Sequence, residues 1–148
     1  MNSIRLAIDY FRNGALTWTQ GAMAMRPYDE FHDTNRTSFR GLVTTTVTDP
    51  RTTHTCGMGG VCRVMGVESM TQLHLDTLGA LDLAASEVGF EREPETPDLI
   101  GGIFLNLNDG VMDRETVLTV MERAADLLDE RLQQRIEERH RRRKEQAA

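Results

Sequence analysis

Residues 114–144 read R-E-T-V-L-T-V-M-E-R-A-A-D-L-L-D-E-R-L-Q-Q-R-I-E-E-R-H-R-R-R-K, and this stretch decides the fold class. Val117, Met121, Ala124, Leu128, Leu132 and Ile136 recur three or four residues apart, which is the period of one helix face. Asp113 stands just before them, where a helix cap is expected. The stripe predicts a helix buried to about Ile136, and beyond that point the pattern is purely charged. At ~1.5 Å per residue, residues 114–144 reach roughly 45 Å, longer than a domain of this size needs. Residues 1–136 therefore read as a single globular domain, and 137–148 as a charged, projecting helix end or tail.

Upstream, the same period recurs. Ile4, Ala7, Ile8 and Phe11 mark a short first helix, with Asn2 or Ser3 as cap and Gly14 as stop. G-M-G-G-V-C-R-V-M after Cys56 is a short helix rich in glycine, ended by Gly66. A stronger helix starts at Ser69 or Thr71, with Met70, Leu73, Leu78, Leu81, Ala84, Ala85 and Val88 as its apolar face up to Gly89. His74 falls on that face and reads as a core residue. Glu93-Pro94-Glu95-Thr96-Pro97 is a break, and Pro97 suits the first residue of a short helix through Ile100, Ile103 and Phe104. Asn108-Asp109-Gly110 reads as a turn. Residues 26–41 have a polar loop composition. G-L-V-T-T-T-V-T at 41–48 is β-branched, and its expected partner in a hairpin is the segment around Trp18. The predicted fold is mainly α: a compact helical domain with at most one small β-hairpin and a long C-terminal helix.

Composition narrows the class. The chain has 148 residues, 39% of them hydrophobic, enough for one core but not two. No apolar run approaches membrane length, so no membrane association is expected. The first residues, M-N-S-I-R-L-A-I-D-Y-F-R, carry Asp9 and Arg12 and do not read as a secretory signal. Two cysteines are too few for a disulfide framework, and a cytoplasmic location is expected. The net charge is −6 but unevenly spread: Glu130 to Glu145 is +3, which leaves −9 on the rest. An acidic body repels nucleic acid, whereas a basic tip attracts it. Sixteen arginines stand against one lysine, which fits a GC-rich genome as well as it fits a binding role.

Chemistry could sit in T-H-T-C-G-M-G-G-V-C. His54, Cys56, Cys62 and the more distant His74 are possible zinc ligands. Five intervening residues of helix set the two cysteines about 600° apart, off any shared face, so no metal and no cofactor is expected. Cys56 also stands where a helix N-terminus would lower a thiol pKa, with glycine N–H groups beside it. His54, His32 or His74 would then serve as base, with Asn108 or Asp109 to orient it. The competing reading is a small buried residue at a helix entry. Trp18 reads as a core plug with a locally satisfied indole N–H, and Gln20 as a bridge between backbone groups beside it. The carboxylates of D-E-F-H-D at 29–33 do not follow calcium-loop spacing, and glycine-rich phosphate loops are absent.

Three stretches taken together carry a resemblance. They are Trp18-Thr19-Gln20-Gly21-Ala22, Cys56-Gly57-Met58-Gly59-Gly60, and Asn108-Asp109 followed by R-E-T-V-L-T-V-M-E-R-A-A. Their order and spacing over residues 4–125 resemble a family of small uncharacterised proteins of actinobacteria and their phages. That family has W-T-Q-G-A after a first helix, C-x-x-G-A opening a central helix, and W-N-D before the last one. Gly60 departs from it where alanine is usual, and Leu107 where an aromatic is usual. The loop from Arg26 to Thr55 is also longer than the family's. The resemblance implies a similar helical fold and a phage or actinobacterial origin, and it supplies no mechanism.

The leading functional expectation is a non-enzymatic binding or regulatory protein that acts on a bacterial protein partner. Candidate contacts are Trp18, Gln20, Tyr28, Phe31, Arg36 and Arg40, on or beside the long loop, since loops of that length tend to carry function. A cysteine-dependent hydrolase or transferase using Cys56 is the alternative. A third reading is a nucleic-acid-associated protein using Arg139, Arg141, Arg142, Arg143 and Lys144. Nucleic-acid binding is not expected, because the acidic body opposes it. Oligomeric state is open at this level.

Overall fold

A computed structural model describes residues 2–92, 99–111 and 113–147. Within them lie five α-helices and four short strands. In chain order they are α1 (Ser3–Arg12), β1 (Thr17–Trp18), β2 (Ala24–Pro27), β3 (Leu42–Thr44), β4 (His54–Thr55), α2 (Gly57–Met65), α3 (Leu75–Glu87), α4 (Gly102–Gly110) and α5 (Arg114–Ala147). A single 3-10 turn, Met70–Gln72, precedes α3. The fold is mainly α, with the long last helix the sequence called for.

Helix starts are capped from the preceding residue or from another helix. Asn2 caps α1: its Oδ1 accepts from the Ile4 and Arg5 N–H groups at 2.9 and 3.3 Å. Its Nδ2 donates to the Ala125 carbonyl (2.8 Å) and to Asp129 (3.0 Å), which fastens α1 to the middle of α5. Gly101, at φ 98, brings no side chain to cap α4. Asp82 of α3 does so instead: its carboxylate accepts from the Gly101 and Phe104 N–H groups at 2.7 and 3.1 Å. A buried carboxylate placed on orphan helix donors satisfies both groups at once.

The core is the common interior of α1, α2, α3, α4 and α5. Phe104, Ile4, Met58, Leu81, Leu107 and Leu118 are its largest fully buried side chains. Each such burial is worth about 1.5–3 kcal/mol. Close approach depends on Gly59 and Gly60 of α2. A Cβ on Gly59 would lie 2.0 Å from the Met23 carbonyl oxygen, and one on Gly60 would lie 2.6 Å from the Phe11 ring. That ring leaves no room for a side chain at position 60.

Several expectations are corrected. Strand β3 does not pair with the Trp18 segment; it pairs antiparallel with β2, in register Met25 to Thr44 and Arg26 to Val43. Trp18 lies in β1, which runs parallel to β4, and the sheet order is β1-β4-β2-β3. Only three residues of 41–48 are strand, because Thr45 to Thr52 turn back on themselves and Arg63 Nη1 fastens the Val47 and Asp49 carbonyls.

The helix expected from Ser69 or Thr71 is broken at Leu73, whose ψ of 150° is extended. His74 is therefore not a core residue: it caps α3, its Nδ1 accepting from the Asp76 N–H at 3.0 Å, and its side chain is exposed. Val88 is likewise exposed, just past the end of α3. Asn108-Asp109-Gly110 is the last turn of α4 rather than a loop. The break at 93–97 and the start at Pro97 lie outside the described residues.

The stripe on α5 is covered only as far as Leu128. Leu132 and Ile136 are 42% and 47% exposed, because α1 begins at Ser3, beside Ala125 and Asp129, and offers nothing further along. Past Leu128 the body still touches α5 through Asp76, which takes Arg135 at 2.6 Å and Arg131 at 3.7 Å. The helix itself continues to Ala147, 34 residues in all.

Candidate functional site

The three sequence motifs meet at Asn108. Its Oδ1 accepts from the Trp18 indole at 2.8 Å and from the Gly57 N–H at 2.9 Å. Its Nδ2 points to the Thr19 carbonyl at 3.4 Å. Beside it, Gln20 Nε2 donates to the Asn108, Asp109 and Val111 carbonyls, closing the C-terminal end of α4. Asp109 Oδ1 accepts from the Gly21 N–H at 3.1 Å. Asn108 is wholly buried and Trp18 half-buried. The indole is thus satisfied by a residue far away in sequence rather than locally.

Cys56 belongs to the same junction. It caps α2, its Sγ accepting from the Gly59 N–H at 3.2 Å, and the thiol points to the Met23 sulfur at 3.6 Å. An open cleft of about 290 Å³ lies alongside, lined by Met23, Cys56, Ser69, Met70 and Asp109 among others. Burial pushes the Cys56 thiol up to about 11, reversing the lowered pKa expected of a helix N-terminus. Cys62 is fully buried and is pushed up to about 12, also by burial. Among the described residues no histidine bonds to either sulfur. His54 Nδ1 is taken by Thr53 Oγ1 at 2.7 Å, and partial burial lowers the pKa of the ring. His32 lies near Asp29 at 4.0 Å, exposed, and His74 is spent as a cap. The structure therefore does not assemble the nucleophile and base of the cysteine reading. It also brings no three of His, Cys, Asp and Glu together as metal ligands among the described residues.

The loop candidates occupy a second region, and two residues that sequence reasoning missed hold it in place. Arg26 and Asp33 form a buried bidentate pair, Nη1 and Nη2 donating to the two carboxylate oxygens at 2.6 and 2.7 Å. Asp33 also accepts from the Asp29 N–H at 2.8 Å, and the guanidinium with this bond holds its carboxyl far below the usual range. Nothing in the spacing of R-P-Y-D-E-F-H-D marks this pair, since the six residues between its members run from a strand end into irregular loop. Tyr28 is half-buried, its N–H donating to the Gly41 carbonyl, and Arg36 Nη2 donates to the Thr44 carbonyl at 2.6 Å.

At the far end of the loop, Phe39 and Leu42 exchange N–H to carbonyl bonds at 2.9 and 3.0 Å around Arg40 and Gly41. Both central residues are left-handed, at φ 53 and 77. Asn or Gly usually fills the first of these positions. The Arg40 guanidinium sits 5.2 Å from the centre of the Phe39 ring. Phe31 is 89% exposed and Phe39 65%.

Arg139, Arg141, Arg142, Arg143 and Lys144 lie on the exposed end of α5, where Arg142 pairs with Glu138 at 2.7 Å. They share no surface with the Asn108 junction among the contacts described. No helix among the described residues is long and apolar enough to cross a membrane. Compared with known family models, curated proteins and solved structures, the chain matches none.

Proposed function

We propose that this chain is a non-enzymatic binding protein of an actinobacterium or its phage, acting in the bacterial cytoplasm on a protein partner through the loop at 28–41. The observation that carries this reading is the pair Phe31 and Phe39, exposed on a loop whose base is locked by the buried Arg26–Asp33 pair. Exposed aromatics normally cost solubility, whereas on a rigid support they supply contact area with little ordering cost. Arg40, stacked beside Phe39, adds a charged, planar group of the kind enriched in interface hot spots. Strain points the same way, since a non-glycine residue at positive φ is kept only where its surroundings hold it. The origin rests on the three-motif resemblance alone.

The test is affinity capture from an actinobacterial lysate with the intact chain and with Phe31→Ala/Phe39→Ala. The reading expects one stoichiometric bacterial protein on the first bait and its loss on the second, at unchanged melting temperature. Capture that is indifferent to both substitutions sinks it.

A further inference from the structure

Helices α3 and α5 run antiparallel, with Asp76 against Arg135 at one end and Glu87 against Arg123 at the other (2.6 and 3.0 Å). Their outward seam is open. Leu75 and Leu83 are 64% and 51% exposed, and with Leu127 they line a groove of about 300 Å³. Apolar side chains gathered along a groove are a feature of interaction surfaces.

The groove has a symmetry in its sequence. Leu75 and Leu83 lie four residues to either side of Gly79, where a Cβ would meet nothing within 4 Å. On α5, Glu130 and Arg131 line the groove, and Arg123 and Glu138 stand seven residues before and after them, bridged within the chain to Glu87 and Arg142. Read backwards about the midpoint of Glu130 and Arg131, every sign is inverted. That midpoint lies beside Gly79, since Gly79, Glu130 and Arg131 line the same groove. Residues seven apart share nearly one helix face, so each outer charge stays in line with an inner one. A surface whose charges invert on reversal is complementary to itself across a two-fold axis.

We propose that two copies of this chain pair through the α3/α5 groove about such an axis, α5 antiparallel to the α5 of the second copy. Glu130 then faces Arg131 of the second copy, and Arg123 faces Glu138, each contact made twice. Leu75 meets Leu83 of the second copy around Gly79, the point of closest approach. This pairing stands independently of the loop reading, because it uses other residues and other contacts.

The experiment is sedimentation velocity on the full chain, up to a concentration of about 0.1 mM, with circular dichroism melting as the check on folding. A dimer is expected for the natural sequence and a monomer for Leu83→Glu at the same melting behaviour. Glu130→Arg alone places like charges across the axis twice and should weaken dimerisation about tenfold or more. Arg131→Glu alone should do the same. Mixed in equal amounts, the two variants meet opposite signs across the axis and should recover the dimer. If Arg131→Glu fails to fold, Leu83→Glu and Glu130→Arg decide the matter between them. A natural chain that stays monomeric, a dimer that survives Leu83→Glu, or folded charge variants that gain nothing on mixing would each overturn the proposal.

Discussion

The indole N–H of Trp18 and the side-chain oxygen of Asn108 meet at 2.8 Å across 90 residues of chain, and the Gly57 N–H shares that oxygen. One amide thus joins the first strand, the start of α2 and the end of α4. Buried donors left without an acceptor cost about 1–3 kcal/mol each. Asn108→Ala orphans two of them and should lower stability by about 2–4 kcal/mol, read from the urea midpoint at unchanged slope. Trp18→Phe removes one donor together with its partner contact and should cost clearly less than Asn108→Ala. Equal losses would show that the oxygen matters only to the indole.

Gly59 and Gly60 separate backbone from side-chain obstruction. A methyl at 59 meets the Met23 carbonyl, which cannot move without moving the sheet, whereas at 60 it meets the Phe11 ring. Gly60→Ala should therefore cost about 1–3 kcal/mol, and Phe11→Leu should recover part of that loss. Gly59→Ala should be the more damaging of the two, with no recovery from Phe11→Leu. Thermal denaturation of the three single and two double variants, read as two cycles, checks both expectations.

Cys56 should be inert in the native protein. With its thiol pushed up to about 11 by burial, almost none is thiolate at neutral pH. Labelling by a disulfide reagent should be slow in buffer and fast in denaturing urea. Rapid native labelling at Cys56 would revive the cysteine-enzyme reading.

Acid should act through Asp33. Its folded pKa is depressed, so the contribution is complete above the ordinary aspartate range and is lost as pH falls below it. Stability should decline from pH 5 toward pH 2, and Asp33→Asn should flatten that acid limb while lowering stability at pH 7 by stranding Arg26. Urea midpoints at a series of pH values decide this, and an acid limb unchanged in Asp33→Asn would refute it.

Removing residues 139–148 should leave stability within about 0.5 kcal/mol, since residues 139–147 are all exposed. The −9 body should also keep the intact chain from binding duplex DNA at physiological salt. A salt-sensitive gel shift lost with that deletion would favour the nucleic-acid reading.

The helices were legible because period 3.6 is written in their apolar residues, and α1, α2 and α5 follow it closely. What the period cannot say is where the neighbours end, so Leu132 and Ile136 looked covered although the cover ends at Leu128. Strand pairing was not legible, because ladders of two or three residues leave no alternation to read. The motifs around Trp18, Cys56 and Asn108 stood out as words, yet their meeting point depends on Asn108 facing inward from a helix end that reads as a turn. Arg26 and Asp33 gave no signal at all, since a buried ion pair within a loop obeys no spacing rule.

The bond from Asn2 to the Ala125 carbonyl and Asp129 has a bearing on synthesis. α1 docks on α5, a helix that leaves the ribosome long after it. Until Val117 to Leu128 emerge, Ile4, Ile8 and Phe11 lack a main part of their cover. From the emergence of α1 until that of α5, nascent chains of this protein should therefore present an apolar amphipathic helix, with elongation at about 5–20 residues per second. Such a segment is a natural client for ribosome-associated chaperones, and this fold can close only once α5 has been made.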